Sequence, residues 1–187
     1  MIDEKWNDNF FSKRKHIAWR AKPVVIQVIQ QFNPQSVIDV GCGIGEFLDE
    51  FQKRGIDIIG IEGTESVYPH LMISQDKIMI FDITGAPICI PEKYDLATCF
   101  MVIGRLPKDK WKNAARFLTK LSDTIITVVE DQEAWRTIMA QFNFIEDIEA
   151  GAIFRESLRP LLDKTAVRSF QCTQIFRKEV KHDATAS

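Results

Sequence analysis

The segment SVIDVGCGIGEFLDEF, residues 36–51, decides the fold. Its first five residues form a short run rich in β-branched side chains, as suits a buried strand. Gly41, Gly43 and Gly45 follow at alternate positions and free the backbone for a sharp turn. Helical spacing then resumes at once: Phe47, Leu48 and Phe51 fall on one face, and Gly55 is a natural stop. A strand that breaks on glycines and restarts as a helix presents free backbone N–H groups to whatever lies above the turn, and these favour a carboxylate or phosphate.

On either side of this segment, apolar runs alternate with helical patterns. A helical stretch near Pro23–Phe32 leads into it, and IDIIGIE (56–62), KIMIFDI (77–83), YDLATCFMVI (94–103) and DTIITVV (123–129) read as further strands. WKNAARFLTKL places Trp111, Ala114, Ala115, Leu118 and Leu121 along one helical face, and QEAWRTIMAQF does the same with Trp135, Ile138, Met139 and Phe142. The close reads as FIEDIEA (144–150) and VRSFQCTQIF (167–176), two β-like runs separated by a short helix at Arg155–Leu162. Strands that are apolar throughout and alternate with helices imply right-handed crossovers and a parallel sheet buried on both faces. The expected fold is α/β, a Rossmann-like doubly wound, mostly parallel sheet with an antiparallel C-terminal edge. Gly63–Asp76 and Thr84–Lys93 are too short and too broken by Pro and Gly for full helices, so the second and third crossovers should be trimmed.

The chain of 187 residues is 45% hydrophobic, with 13 Phe and 4 Trp, enough for one core. Its 24 basic and 26 acidic groups leave a net charge of -2, which excludes a globally basic nucleic-acid binder. No run approaches the ~18 apolar residues of a membrane span. The opening MIDEKWNDNFF is charged and aromatic, unlike a signal peptide, and Cys42, Cys89, Cys99 and Cys172 show no paired spacing. A cytoplasmic location with reduced thiols is the expectation. The organisation expected is an N-terminal helical cap or lid over 1–35, a ligand-binding domain over 36–178, and a disordered tail over 179–187, since KHDATAS lacks apolar anchors.

In an open α/β sheet, ligands bind beyond the carboxyl ends of the strands. Three signals stand at such ends. One is the turn Asp39-Val-Gly41-Cys-Gly43-Ile-Gly45. Another is Glu62, seventeen positions beyond Gly45, where a carboxylate can accept from both hydroxyls of a ribose. The third is Asp82-Ile83, an acceptor for an adenine amino group beside an apolar neighbour for the ring; Asp82 before Ile-Thr-Gly also suits a plain turn.

Together these residues resemble the class I S-adenosylmethionine-dependent methyltransferases, from about Ile17 to Lys178, and among them the ubiquinone-pathway O-methyltransferase-like group. SVIDVGCGIG is similar to the family's first motif, and GIEG, FDIT and YDLATCFMVIGRLP follow in the family's order. The resemblance implies S-adenosylmethionine as cofactor and S-adenosylhomocysteine as product. It implies that Gly41, Gly43 and Gly45 border the methionine portion, that Asp39 organises the loop, and that Glu62 and the adjoining Gly63 hold the ribose. Asp82 and Ile83 would take the adenine, and the backbone near Cys99 and Phe100 the amino-acid end. Arg20-Ala-Lys-Pro23 resembles an R-x-x-P element whose arginine reaches the cofactor's carboxylate. Pro23 would fix the helix start, and Trp19 and His16 would join a lid, while Lys13–Lys15 reads equally well as a solvated basic face.

One departure bears on chemistry. Where relatives carry E-x-x-E-H after the fourth strand, this chain reads Met101, Gly104 and Arg105, so no metal is expected there and any turnover should survive chelation. Neither a Ser-His-Asp arrangement nor an N/D-P-P-Y/F segment is present; Thr98-Cys-Phe-Met101 stands in the latter's place. The expected substrate is a small molecule methylated on oxygen or nitrogen, with nucleic acid a poor fit and the oligomeric state open. Two other readings remain: a non-catalytic, methyltransferase-like domain that binds cofactor or protein, and a dinucleotide-dependent oxidoreductase. The G-x-G-x-G spacing and the short remainder of the chain disfavour the oxidoreductase.

Overall fold

The computed structural model describes residues 6–85 and 92–179. Seven strands form one sheet: β1 (Ser36–Val40), β2 (Asp57–Glu62), β3 (Ile78–Ile80), β4 (Leu96–Phe100), β5 (Thr124–Val128), β6 (Phe144–Glu146) and β7 (Thr173–Lys178). Their order is β3-β2-β1-β4-β5-β7-β6. The first five are parallel, with Asp39 opposite Gly60 on one side and Thr98 on the other. β7 is antiparallel to both β5 and β6, so the single reversed strand lies between them and β6 takes the edge. Strand order reverses between β1 and β4, which puts the switch point directly above the glycine turn.

Period-2 alternation in the strands splits the core into two layers. Val37, Ile58, Leu96, Phe100, Ile126 and Ile175 face α2 (Ala21–Phe32), α3 (Glu46–Gln52), α6 (Ile148–Leu158) and α7 (Lys164–Phe170). Ile38, Ile61, Ala97, Cys99, Ile125 and Phe176 face α4 (Trp111–Leu121) and α5 (Gln132–Ala140). α2 contributes Val24, Val25 and Val28 to the first layer, so it is a structural helix of the sheet. What lies above the sheet at the N-terminus is α1 (Asp8–Arg14) and the tight 3-10 turn Lys15–Arg20.

The second crossover is trimmed, with only 3-10 turns at Glu65–His70 and Gln75–Lys77 between β2 and β3. Between β3 and β4 no helix occurs among the described residues, which leave out 86–91. The C-terminal reading needs correcting. Only 144–146 of the run at 144–150 is strand, and only 173–176 of the run at 167–176. The expected helix at Arg155–Leu162 is in fact two. Asp147 caps α6 by accepting from Ala150 N, and Asp163 caps α7 by accepting from Thr165 N and Ala166 N. Each cap starts a helix at a point where the apolar pattern alone suggests extended chain. The tail expected at 179–187 falls, beyond Glu179, outside the described residues.

Candidate functional site

Above the carboxyl ends of β1, β2 and β4 lies a cavity of about 510 Å³, within the range of small-molecule sites. Its floor is the glycine turn. Gly41, Gly43 and Gly45 all have φ between +55° and +78°, a region that L side chains rarely adopt. At Gly41 there is no room either: a Cβ would stand 2.2 Å from Val102 Cγ2. Beneath the turn, Asp39 is 2% exposed and accepts from Thr98 Oγ1 at 2.7 Å. Burial pushes its carboxyl up to about 7, the Thr98 hydroxyl opposing this.

Glu62 ends β2 and ties the loops together. One carboxylate oxygen accepts from Gly43 N at 3.0 Å and the other from Gly63 N at 2.7 Å. Burial raises its pKa, while these N–H groups and the Arg14 cation pull the other way. The Thr64 backbone N–H also donates toward this carboxylate. Asp82 uses Oδ1 in a local turn, accepting from Thr84 N at 2.9 Å and Thr84 Oγ1 at 2.8 Å. Asp82, Ile83 and Phe81 form one wall of the cavity.

The turn after β4 forms the opposite wall. Phe100, Met101 and Val102 line it, whereas Cys99 is fully buried against the α4–α5 layer. Met101 takes φ +61°, unusual for a side chain of its size. This aims its carbonyl at Arg105, whose Nε donates to it at 2.6 Å. Arg105, Leu106, Pro107 and Lys110 carry the wall to the mouth.

The roof is α1 with Trp6. Asn7 caps α1, and spacing of three and four brings Phe10, Phe11 and Arg14 to its inner side. Phe11 is 1% exposed and packs with Ile44 and Val67; Trp6 and Phe10 meet edge to face at 4.6 Å. Arg14 forms an ion pair with Glu46, the first residue of α3. Both are held at the glycine turn, where a Cβ on Gly43 would lie 3.8 Å from Glu46 Oε2 and 3.9 Å from Arg14 Nε. These two atoms are buried and lack a hydrogen-bond partner among the described residues.

Of the expected site residues, Gly41, Gly43, Glu62, Gly63, Asp82, Ile83 and Phe100 converge on this cavity, with Asp39 and Gly45 supporting its floor. Arg20 does not reach it. Its Nε donates to Asp163 Oδ2 at 2.7 Å, which ties the N-terminal turn to the cap of α7. The arginine at the glycine turn is Arg14, from the middle of the basic cluster expected to be a solvated face. Trp19 is 54% exposed and absent from the lining, as is His16, so the roof is made by Trp6, Phe10 and Phe11 instead. His70, after β2, pairs with Asp8 of α1 at 2.6 Å. The missed residues had a signal in the sequence: Phe10, Phe11 and Arg14 form a helical stripe that a count of basic residues passes over. Among the described residues no group of three or more His, Cys, Asp or Glu could hold a metal ion, and no helix is long and apolar enough to cross a membrane.

The comparisons agree with this architecture. The structure of magnesium protoporphyrin IX methyltransferase from Synechocystis, solved with S-adenosylmethionine bound, is 17% identical. It matches with a TM-score of 0.61 over 91% of this chain and 85% of that one. Streptomyces venezuelae DesVI is 18% identical, with a TM-score of 0.53 over 69% of this chain and 58% of that one. An S-adenosylmethionine-dependent methyltransferase from Clostridium acetobutylicum is 14% identical, with a TM-score of 0.52 over 65% and 58%. The chain thus spans little more than half the length of DesVI, and identities this low show a shared fold and no more. No curated protein matches the sequence. A family model described as a methyltransferase domain matches residues 14–161, from the roof arginine through α6, and by that match the chain belongs to the methyltransferase domain family.

Proposed function

We propose that this chain binds S-adenosylmethionine in the cavity and transfers its methyl group to a small molecule, releasing S-adenosylhomocysteine. The observation that carries the reading is the glycine turn under the cavity, where Arg14 lies beside Gly43 and Glu62 accepts from Gly43 N and Gly63 N. A free α-amino acid end offers a carboxylate that matches the Arg14 guanidinium in the cavity wall. Glu62, a carboxylate at the cavity wall, fits a ribose as an acceptor for its hydroxyls. Asp82 and Ile83 fit an adenine, between Phe81 and the glycine turn.

The bound cofactor supplies the activated methyl group. The protein's task is alignment and exclusion of water. Arg14 and Glu62 fix the two ends of the ligand, Val102 closes the floor against Gly41, and Trp6, Phe10 and Phe11 keep solvent from above. A cavity of about 510 Å³ favours a small acceptor over a macromolecule. Isothermal calorimetry tests the reading. Wild-type protein should bind S-adenosylmethionine and S-adenosylhomocysteine at micromolar levels, and Glu62→Ala should lose roughly 1.5–3 kcal/mol, about 10- to 150-fold. Binding of NADH instead, or no binding, would reject it.

A further inference from the structure

Beyond the cofactor's share, the cavity has an outer half with its own chemistry. Trp6, Phe10, Leu106 and Pro107 give it apolar walls, and Arg105 and Lys110 give it two positive charges. Arg105 is anchored by its Nε to Met101 O and lies 5.0 Å from the centroid of the Trp6 ring. Among the described residues no carboxylate forms an ion pair with Arg105; Glu130 acts on it only at longer range. Lys110 has Asp109 at 3.9 Å, at the outer limit of an ion pair and on an exposed side chain. The acids that line the cavity, Glu62 and Asp82, stand on the opposite side at the ends of β2 and β3, engaged with backbone N–H groups. No His, Tyr or Cys lines it among the described residues.

Two demands on the acceptor follow. Negative charge favours binding, because the two cations at the mouth, both reached by solvent, attract an anion and repel an ammonium. The acceptor must also be nucleophilic without losing a proton, because among the described residues the outer half holds no base. A hydroxyl fails the second demand and a protonated amine fails both. A carboxylate, ionised above about pH 4, meets both. Resting on the cofactor reading above, we propose that the acceptor is a small apolar carboxylic acid, methylated on its own carboxylate oxygen and held there by Arg105 and Lys110. The oxygen's lone pair forms the new O–C bond, and the C–S bond of the sulfonium breaks with its electron pair staying on sulfur. A methyl ester and a neutral thioether result, and no proton is taken up or released. The ester has lost the charge that held it, which favours its release.

The test uses the full chain with S-adenosylmethionine carrying a tritiated methyl group. Decanoate, phenylacetate and indoleacetate are each run beside the matching alcohol and amine, together with the acidic fraction of a metabolite extract. Label should enter the acids alone and be released as volatile methanol by mild alkali. Arg105→Gln should raise KM for the acid about tenfold while leaving the calorimetric Kd for S-adenosylmethionine within about twofold. Label in alcohols or amines, label that survives alkali, or no transfer to any acid by a protein that binds S-adenosylmethionine overturns the assignment. Failure to bind S-adenosylmethionine at all is a separate result and rejects the cofactor reading itself.

Discussion

At the scale of single residues, the site depends on groups held where their chemistry is unfavourable unless a neighbour compensates. Asp39 is the clearest case. Its folded carboxyl, at about 7 against 3.8 when free, holds a proton more tightly than the unfolded chain does. Its contribution to stability is therefore full below about pH 4 and is lost as pH rises through about 7. Asp39→Asn keeps an oxygen for the Thr98 hydroxyl but cannot ionise. It should match the wild type near pH 4 and exceed it near pH 8 by up to about 4 kcal/mol in urea unfolding; a difference that does not grow with pH would contradict the burial argument. Gly41 is constrained by both φ +73° and the Val102 side chain. Gly41→Ala should cost about 2–4 kcal/mol, and pairing it with Val102→Ala should recover about 1 kcal/mol or more relative to the sum of the singles. For ligand affinity, Arg14→Ala should weaken S-adenosylmethionine binding by about 1.5–3 kcal/mol and Arg20→Ala should change it little, as read by calorimetry. That order reverses the one suggested by R-x-x-P, because the carboxylate partner of Arg20 is already present in Asp163.

At the scale of elements, helix starts carry the information that apolar periodicity misses. WKNAARFLTKL reads correctly because six of its eleven residues are buried on one broad face, so the pattern and the packing coincide. α6 and α7 are harder, since Ile148 and Ile153 on α6 and Leu161 between the two helices are exposed and blur the period. Their beginnings are nevertheless written in Asp147 and Asp163, each accepting from backbone N–H groups two or three residues on. Asp163→Ala should lose about 1 kcal/mol of stability through the cap while Asp163→Asn loses little, which separates capping from the Arg20 ion pair. α1 behaves differently, because Phe11 holds it to Ile44 and Val67 without entering the main core. Phe11→Ala should free the roof by local opening, so proteolysis near Arg14 should accelerate well before the global Tm falls. A loss of several kcal/mol in global stability would mean that the roof and the sheet unfold together.

At the scale of the whole molecule, the sheet was legible where each strand is covered on both faces, and the floor of the cavity was legible because Gly41–Gly45 and Glu62 lie within one stretch of chain. The roof was not. It is assembled by Phe10, Phe11 and Arg14 meeting Ile44, Glu46 and Val67 across more than thirty positions, and no local pattern records such a meeting. The strand order carries a further consequence, for the history of each molecule rather than its finished form. β6 precedes β7 in the chain yet touches the sheet only through it. During synthesis, a chain that has emerged only as far as Phe170 can align its five parallel strands, but β6 has no edge to join. Its exposed Ile145 and the open side of β5 then face the cell together. The arrival of Thr173–Lys178 closes both at once, so the emergence of β7 ends the interval in which this sheet edge is open to aggregation. Chains arrested before Thr173 should accordingly be held by chaperones, and chains extended past Lys178 should be released.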